Sequence, residues 1–338
     1  MLCAARPQVS APEDALREEA SNHPQSFEAN RRLAEYYIRR NHVAQALPWL
    51  EKAARIDPAD YDNGYDLALA RLETKDLDGA RAQLKLMLSR RDRSEVHNLL
   101  GDVEEASGNI DEAERQYEQA ARMDPTEKNL FDLGTDLLRH HAYLPAVTTF
   151  QYAAGKYPKA ARIQVGLGVA LYSSGKYTDA VESLCRAVDL DPADTKALEF
   201  LGGMYDVSPE MADAVTKRLE HFVALYPSNA AANYYYALSL RKRNLTPESD
   251  AAREKVEVLL QKSIALRPNY AAAHFQLGLL YSDEKRLEPA IHELEEAARL
   301  DPGLKPVHYR LALLYKETGK AERSRRELEL FQSLKDQK

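Results

Sequence analysis

The stretch that decides the fold is residues 271–302, with the sequence AAAHFQLGLLYSDEKRLEPAIHELEEAARLDP. Its first half places His274, Leu277 and Gly278 at the i, i+3, i+4 spacing of one helix face. Its second half repeats the pattern with small and apolar residues. Pro302 ends the second helix because proline has no amide hydrogen to donate. The stretch therefore predicts two amphipathic helices joined by a turn.

Gly278 indicates how closely these two helices approach each other. A glycine in a helix interior costs about 1 kcal/mol relative to alanine. We therefore expect it where the partner helix leaves no room for a side chain. Ala290 is the matching small residue on the second helix.

This arrangement resembles a tetratricopeptide repeat, whose pattern is Trp-x2-Leu-Gly-x2-Tyr, then Ala-x3-Phe, then Ala and a closing Pro. His274 stands in the place of the Trp and Leu294 in the place of the Phe. The resemblance implies an all-α fold, a right-handed superhelical solenoid of antiparallel helix pairs.

The pattern recurs along the chain. Prolines that would close helical segments lie at positions 24, 58, 125, 158, 192, 227, 268 and 302. Most of these intervals match the 34-residue repeat of the family. We predict a disordered tail over 1–10, one solenoid over 11–334 that starts with a lone helix, and a C-terminal tail over 335–338. The nine full repeats are predicted to begin near residues 27, 61, 94, 127, 161, 195, 230, 271 and 305.

The eighth position of each repeat tests this register, because it was not used to set it. Every eighth residue is small, as close helix packing requires. These residues are Ala34, Ala68, Gly101, Gly134, Gly168, Gly202, Ala237, Gly278 and Ala312.

Composition excludes several classes of partner. The net charge is −7, which argues against nucleic acid because phosphate binding needs a cationic surface. No run of 18 apolar residues is present, so we predict no membrane insertion. Cys3 and Cys185 give neither a disulfide framework nor a metal-ligand spacing. We expect a cytoplasmic protein, or a periplasmic one if the true N-terminus carries an export signal.

The sequence carries no motif that predicts an enzyme: there is no Gly-rich phosphate loop, no His-Glu-x-x-His and no cysteine pair. His140 and His141 do not share a helix face, so we interpret them as solvated turn residues rather than metal ligands. His97, His274 and His308 occupy the fourth repeat position, where the family has an aromatic residue, and we expect them to pack against the partner helix. We therefore predict no catalytic residue, no cofactor and no metal site.

The family resemblance implies that positions two, five, nine and twelve of the first helices face the inside of the superhelix. The last three repeats share an aromatic residue and a leucine at positions five and nine, which predicts an apolar floor, and Arg241, Lys242, Arg310 and Lys316 predict a basic rim. The alternative is that these aromatic side chains are mainly structural. The candidate partner-binding groove residues are Tyr65, Phe131, Tyr234, Tyr235, Leu238, Phe275, Leu279, Tyr309, Arg310 and Leu313.

We interpret the chain as a scaffold that binds a peptide or helical segment of another protein in a concave groove. Rigid aromatic residues flanked by arginine often dominate the binding energy of such surfaces. The alternative is a non-catalytic assembly or targeting subunit of a bacterial envelope or secretion complex. No three successive repeats supply the carboxylate clamp of chaperone-binding members. Leu328, Phe331 and Leu334 form an apolar stripe on the last helix, which predicts weak self-association through this end.

Overall fold

The computed structural model describes residues 13–204, 212–243 and 250–336, and these residues contain 19 α-helices and no β-strand. The all-α prediction is confirmed. Helix α1 is Glu13–Asn22, and nine pairs follow it: α2 Phe27–Ile38 and α3 Val43–Ile56, α4 Tyr61–Glu73 and α5 Leu77–Arg90, α6 Ser94–Ala106 and α7 Ile110–Met123, α8 Glu127–Arg139 and α9 Tyr143–Lys156, α10 Ala161–Ser173 and α11 Tyr177–Leu190, α12 Lys196–Met204 and α13 Ala212–Leu225, α14 Ala230–Arg243 and α15 Asp250–Leu266, α16 Ala271–Asp283 and α17 Leu287–Leu300, and α18 Lys305–Glu317 and α19 Ala321–Asp336. Residues 1–10, predicted as a tail, lie outside the described residues, whereas α19 includes the first two residues of the predicted tail 335–338.

The chain divides into two compact units. The described residues up to Ala153 form the first unit, and those from Ala154 onward form the second. In the first unit α6 contacts both α4 and α8, and in the second α12 contacts both α10 and α14. The first helices of neighbouring pairs therefore lie side by side and form one surface within each unit. We call this surface the first-helix face. One continuous solenoid over 11–334 stays a prediction.

Short polar side chains start several of the helices. The Asp60 carboxylate accepts a hydrogen bond from the Asn63 amide at 2.7 Å, and the Thr126 hydroxyl accepts one from the Asn129 amide at 3.1 Å. Asp76 has the same role before α5. These caps satisfy amides that the first helical turn leaves without a partner, so they fix where each helix begins.

The two helices of a pair meet closely where the first helix has a glycine. A Cβ atom on Gly134 would lie 2.6 Å from the Phe150 ring, and one on Gly278 would lie 2.7 Å from the Leu294 side chain. Both distances are far below the optimal separation of two carbon atoms, about 3.5–4.0 Å. The partner lies sixteen residues later in each case, and the same holds for Gly101 with Tyr117 and for Gly168 with Leu184.

Gly202 departs from this rule. A Cβ atom there would overlap the Tyr235 ring of α14, which is the next first helix rather than the second helix of the same pair. A Cβ atom on the neighbouring Gly203 would meet nothing within 4 Å. Gly202 therefore admits an aromatic ring from the following repeat, and Gly203 leaves space that no side chain of the described residues fills.

In each of the seven pairs whose turn the structure describes, that turn contains a residue with left-handed backbone. At Lys75 the φ angle is 66°. This conformation brings the Cβ atom of a residue other than glycine too close to the next carbonyl oxygen. The same conformation occurs at Asn41, His141 and Lys285 and at Gly108, Gly175 and Gly319.

We predict that Gly134→Ala destabilises the first unit. The added methyl group would overlap the fully buried Phe150 ring, and such overpacking costs about 1–3 kcal/mol. Gly155→Ala in α9 is the matched control, because a Cβ atom there meets nothing within 4 Å. Urea unfolding followed by circular dichroism should give a lower midpoint for Gly134→Ala only. A wild-type midpoint for that variant would contradict the close packing.

We predict that Lys75→Gly stabilises the chain by about 1 kcal/mol, because glycine adopts the left-handed conformation without steric strain. Asn41→Gly is the control and should give a smaller gain, since asparagine tolerates this conformation better than lysine. Both changes are measured by urea unfolding. A lower midpoint for Lys75→Gly than for the wild type would refute the prediction.

Candidate partner-binding surface

Two candidate aromatic residues lie on the first-helix face of the first unit. Tyr65 is half-buried and stacks on Tyr61 with ring centroids 6.2 Å apart. Phe131 is also half-buried, and its ring lies edge-on to the core residue Phe150 at 6.2 Å. The Tyr65 ring packs within α4 and against the neighbouring core cluster, and the Phe131 ring joins α8 to α9. Each ring leaves only part of its surface to a partner.

Acidic side chains near these rings are partnered within the protein. Asp66 forms an ion pair with Arg31 at 2.7 Å. The Tyr117 hydroxyl donates a hydrogen bond to Asp102 at 2.7 Å, and burial raises the pKa of the Asp102 carboxyl group. The Asp66 and Asp102 carboxylates are therefore both engaged in contacts within the protein.

In the second unit, Tyr234 and Tyr235 belong to a cluster of tyrosine rings. Tyr234 is buried, and its ring centroid lies 4.9 Å from that of Tyr235 and 4.9 Å from that of Tyr270. Burial raises the pKa of the Tyr234 hydroxyl above its ordinary value. Tyr235 is half-buried and covers Gly202. This cluster packs α12 against α14.

The candidate residues on α14 and α16 are partly covered. Leu238, Phe275 and Leu279 are half-buried. Arg241 of the predicted basic rim donates hydrogen bonds to Gln276 at 2.6 Å and to Asp283 at 2.8 Å. Its guanidinium group therefore joins α14 to α16 inside the protein.

The remaining candidate residues lie open on α18. Tyr309 is 44% exposed and Leu313 is 41% exposed. The Tyr309 ring lies 5.4 Å from the Phe331 ring of α19. Arg310 is exposed and makes no ion pair with any part of the chain that the structure describes. Tyr309, Arg310 and Leu313 form what we call the α18 patch.

The apolar stripe on α19 is only partly covered. Leu328 is 39% exposed, and Phe331 and Leu334 are half-buried. Weak self-association through this helix stays a prediction.

An open apolar pocket on the first-helix face of the second unit was not predicted from the sequence. Its volume is about 190 Å³. Gly168 and Gly203 form part of its wall. The missing side chain of Gly203 leaves space open, because a Cβ atom there would meet nothing within 4 Å. The sequence signal was the pair of adjacent glycines, Gly202 and Gly203. The pocket, which we call the α10–α12 pocket, is lined by Gly168, Val169, Tyr172, Leu184, Glu199, Phe200 and Gly203.

The histidine doublet separates into two environments. His141 is exposed, and its Nδ1 atom lies 2.7 Å from the Tyr143 hydroxyl. His140 is half-buried, and its Nε2 atom lies 3.0 Å from a carboxylate oxygen of Glu105. The interpretation as solvated turn residues therefore describes only His141.

His274 is buried beneath the second helix of its pair. Its Nδ1 atom lies 2.7 Å from a carboxylate oxygen of Glu293, and its Nε2 atom lies 3.1 Å from the Pro268 carbonyl oxygen. Both acceptors are satisfied at once only when both ring nitrogens carry hydrogen. The hydrogen bond to Glu293 raises the pKa of His274, and burial opposes it. His274 therefore packs in the place of the family's aromatic residue.

Comparison with known proteins shows the family. Four models of the tetratricopeptide repeat match the sequence. One matches residues 12–61 and 131–195, and the other three match residues 37–103, 94–127 and 271–304. Together these matches span more than half of the sequence. The chain belongs to the tetratricopeptide repeat family, whose fold suggests a protein–protein interaction scaffold.

Individual relatives are distant. The chain is 23% identical over 281 residues to the BBSome complex member BBS4 of Xenopus tropicalis, a match that covers 72% of this chain and 53% of that protein. The chain thus spans about half the length of this curated relative. It is also similar to YrrB, a TPR protein with an unusual peptide-binding site, at 17% identity and a TM-score of 0.44, covering 56% of this chain and 98% of that one. A tetratricopeptide repeat protein from Parabacteroides merdae is similar at 13% identity and a TM-score of 0.48, covering 86% and 99%. No helix in residues 13–204, 212–243 or 250–336 has both the length and the apolar character needed to cross a bilayer.

We predict that the His274–Glu293 pair makes stability depend on pH. Because the pKa of His274 is raised in the folded state, the pair contributes its full stabilisation to the folded chain below the unfolded-state pKa, about 6.5. This contribution is lost as the pH rises through the folded-state pKa. Glu293→Gln removes the main cause of the shift and should flatten the decline in unfolding free energy above pH 6.5. His292→Asn, at an exposed site on the same helix, is the control. An unchanged slope in Glu293→Gln would argue against the pair as its source.

Proposed function

We propose that the chain is a non-catalytic scaffold that holds a segment of another protein against the first-helix face of its second unit. The single observation that carries this proposal is the α10–α12 pocket. It is open, it has a mainly apolar lining, and its volume of about 190 Å³ suits one large apolar side chain.

The chemistry of the pocket suggests what it would accept. Phe200 lines the pocket and offers an aromatic surface, because its side chain is 44% exposed. Glu199 supplies one carboxylate to the lining. The Thr195 hydroxyl donates a hydrogen bond to Glu199 at 3.0 Å, which holds this carboxylate in place. A segment with a large apolar residue beside a basic residue would match these groups.

The α18 patch is the second part of the proposal. Tyr309 and Leu313 are the most exposed of the candidate aromatic and leucine side chains, and Arg310 beside them makes no internal ion pair within the described residues. Exposed aromatic residues next to arginine are typical of the anchors that dominate interface energies. This patch would accept an apolar residue next to an acidic one.

The α10–α12 pocket is tested by filling it. A phage-displayed library of random peptides is selected on the purified chain, and the enriched peptides are synthesised and titrated. In Gly203→Leu the new side chain occupies open space, so the fold should persist. A peptide that can no longer bury one apolar side chain in the pocket loses about 1.5–3 kcal/mol of binding free energy. This loss corresponds to roughly 10- to 150-fold weaker binding. Gly155→Leu, also at an open position, is the matched control and should bind as the wild type does.

Tyr309→Ala is assayed with the same peptides and separates the two parts of the proposal. Tyr309 is largely exposed, so we expect weaker capture with little change in melting temperature. Weaker binding in Gly203→Leu alone assigns the peptides to the pocket, and weaker binding in Tyr309→Ala alone assigns them to the α18 patch. No enrichment of peptides, or full binding by both variants, would refute the proposed function.

A second candidate function is a non-catalytic assembly or targeting subunit, as in a bacterial envelope or secretion complex. The similarity to a member of the BBSome complex favours an assembly role of this general kind. Native mass spectrometry of the tagged chain purified from its own cells separates the candidates. A defined complex of fixed stoichiometry supports the subunit, whereas an isolated chain that captures peptides supports the scaffold.

A further inference from the structure

Three side chains that can ligate metals converge at the C-terminal ends of α6 and α8. Glu105 lies in the last turn of α6, Asp136 lies in α8, and His140 directly follows α8. One ligating atom from each lies within 4.8 Å of the other two. The Nε2 atom of His140 is 3.0 Å from a Glu105 oxygen and 3.6 Å from an Asp136 oxygen. Asp136 and His140 are four residues apart, so both project from one side of α8.

The Asp136 carboxylate is the unusual member of this cluster. The residue is 1% exposed, and both carboxylate oxygens are buried without a hydrogen-bond partner in the part of the chain that the structure describes. Nε2 of His140 lies 3.6 Å from Oδ1 of Asp136, beyond hydrogen-bond distance. A buried carboxylate without partners is strongly disfavoured, and buried charges are normally paired or bound to metals.

The neighbouring guanidinium group of Arg139 does not pair with the Asp136 carboxylate. Arg139 forms its ion pair with Oε1 of Glu105 at 2.5 Å, and the other oxygen, Oε2, faces His140. The pairing leaves three ligating groups within 4.8 Å of one another: Oε2 of Glu105, the carboxylate of Asp136 and Nε2 of His140. Glu105 and His140 are each partly exposed, so an ion can enter from solvent.

We propose that Glu105, Asp136 and His140 bind one divalent transition-metal ion such as Zn²⁺. A mixed set of imidazole and carboxylate ligands suits zinc and its neighbours better than magnesium or calcium. Tetrahedral ligands about 2.0–2.1 Å from zinc are separated from each other by about 3.3 Å. The two distances from His140 Nε2, 3.0 and 3.6 Å, lie on either side of this value. Three protein ligands leave the fourth position to water.

The ion would connect neighbouring repeats. Glu105 belongs to one first helix of the first unit, and Asp136 and His140 belong to the next. A bound metal would neutralise two carboxylates held close together and would tie α6 to α8. Because the ion binds the folded chain, it should raise the melting temperature as its concentration increases. Binding through Nε2 requires the neutral imidazole, so it also releases any proton held there.

The test uses the full chain after dialysis against EDTA. Zn²⁺ is titrated in competition with a chromophoric chelator, and the melting temperature is measured with and without the metal. We expect a single tight site whose affinity falls at least tenfold in Asp136→Asn and in His140→Ala, together with loss of the thermal shift. His141→Ala is the matched control, because its side chain contacts Tyr143 rather than the cluster. It should retain both the site and the shift.

Asp136→Asn also separates metal binding from a purely structural role. Without metal this variant should be at least as stable as the wild type, because it replaces a buried carboxylate by a neutral group of the same shape. Zn²⁺ should then stabilise the wild type and leave the variant unchanged. If Zn²⁺ fails to bind the wild type, or binds equally to Asp136→Asn and His140→Ala, the proposal is wrong and the cluster is held together by a shared proton.

Discussion

The close approach of two helices at the eighth position of each repeat is the constraint on which the structure depends. Gly134 shows it most clearly, because the space that its side chain would occupy is filled by the buried Phe150 ring. Protein interiors are packed as densely as organic crystals, so a methyl group added at such a point must displace its neighbour. Where it occurs, the sixteen-residue separation between the small and the large residue fixes the register of the helix pair.

A glycine next to one of these eighth positions leaves the surface open. Gly202 is covered by the Tyr235 ring of the next first helix, whereas Gly203 has nothing over it and becomes part of the wall of an apolar pocket. A glycine in a helix weakens it by about 1 kcal/mol unless packing compensates. At Gly203 no contact from the described residues compensates, so this glycine opens a pocket and does not stabilise the packing of the helices.

The sequence predicts the fold well, because the same pattern of small and apolar residues recurs along the chain. It does not predict which side chains meet across repeats. Arg241 was expected at an open rim, yet it binds Gln276, which lies 35 residues later on the next first helix. His140 was interpreted as solvated, yet it contacts Glu105, which lies 35 residues earlier. Such contacts depend on rotamers and on the local spacing of helices, which hydrophobic periodicity does not encode.

The most direct test of the packing constraint is a double-mutant cycle on Gly134 and Phe150, measured as free energy of unfolding in urea. Other repeats place alanine and leucine at these two positions, as in Ala34 with Leu50 and Ala68 with Leu84, all of them buried. Phe150→Leu should therefore make room for the methyl group of Gly134→Ala. We expect the double variant to be more stable than the sum of the two single effects predicts, by about 1 kcal/mol. Strictly additive effects would contradict the account.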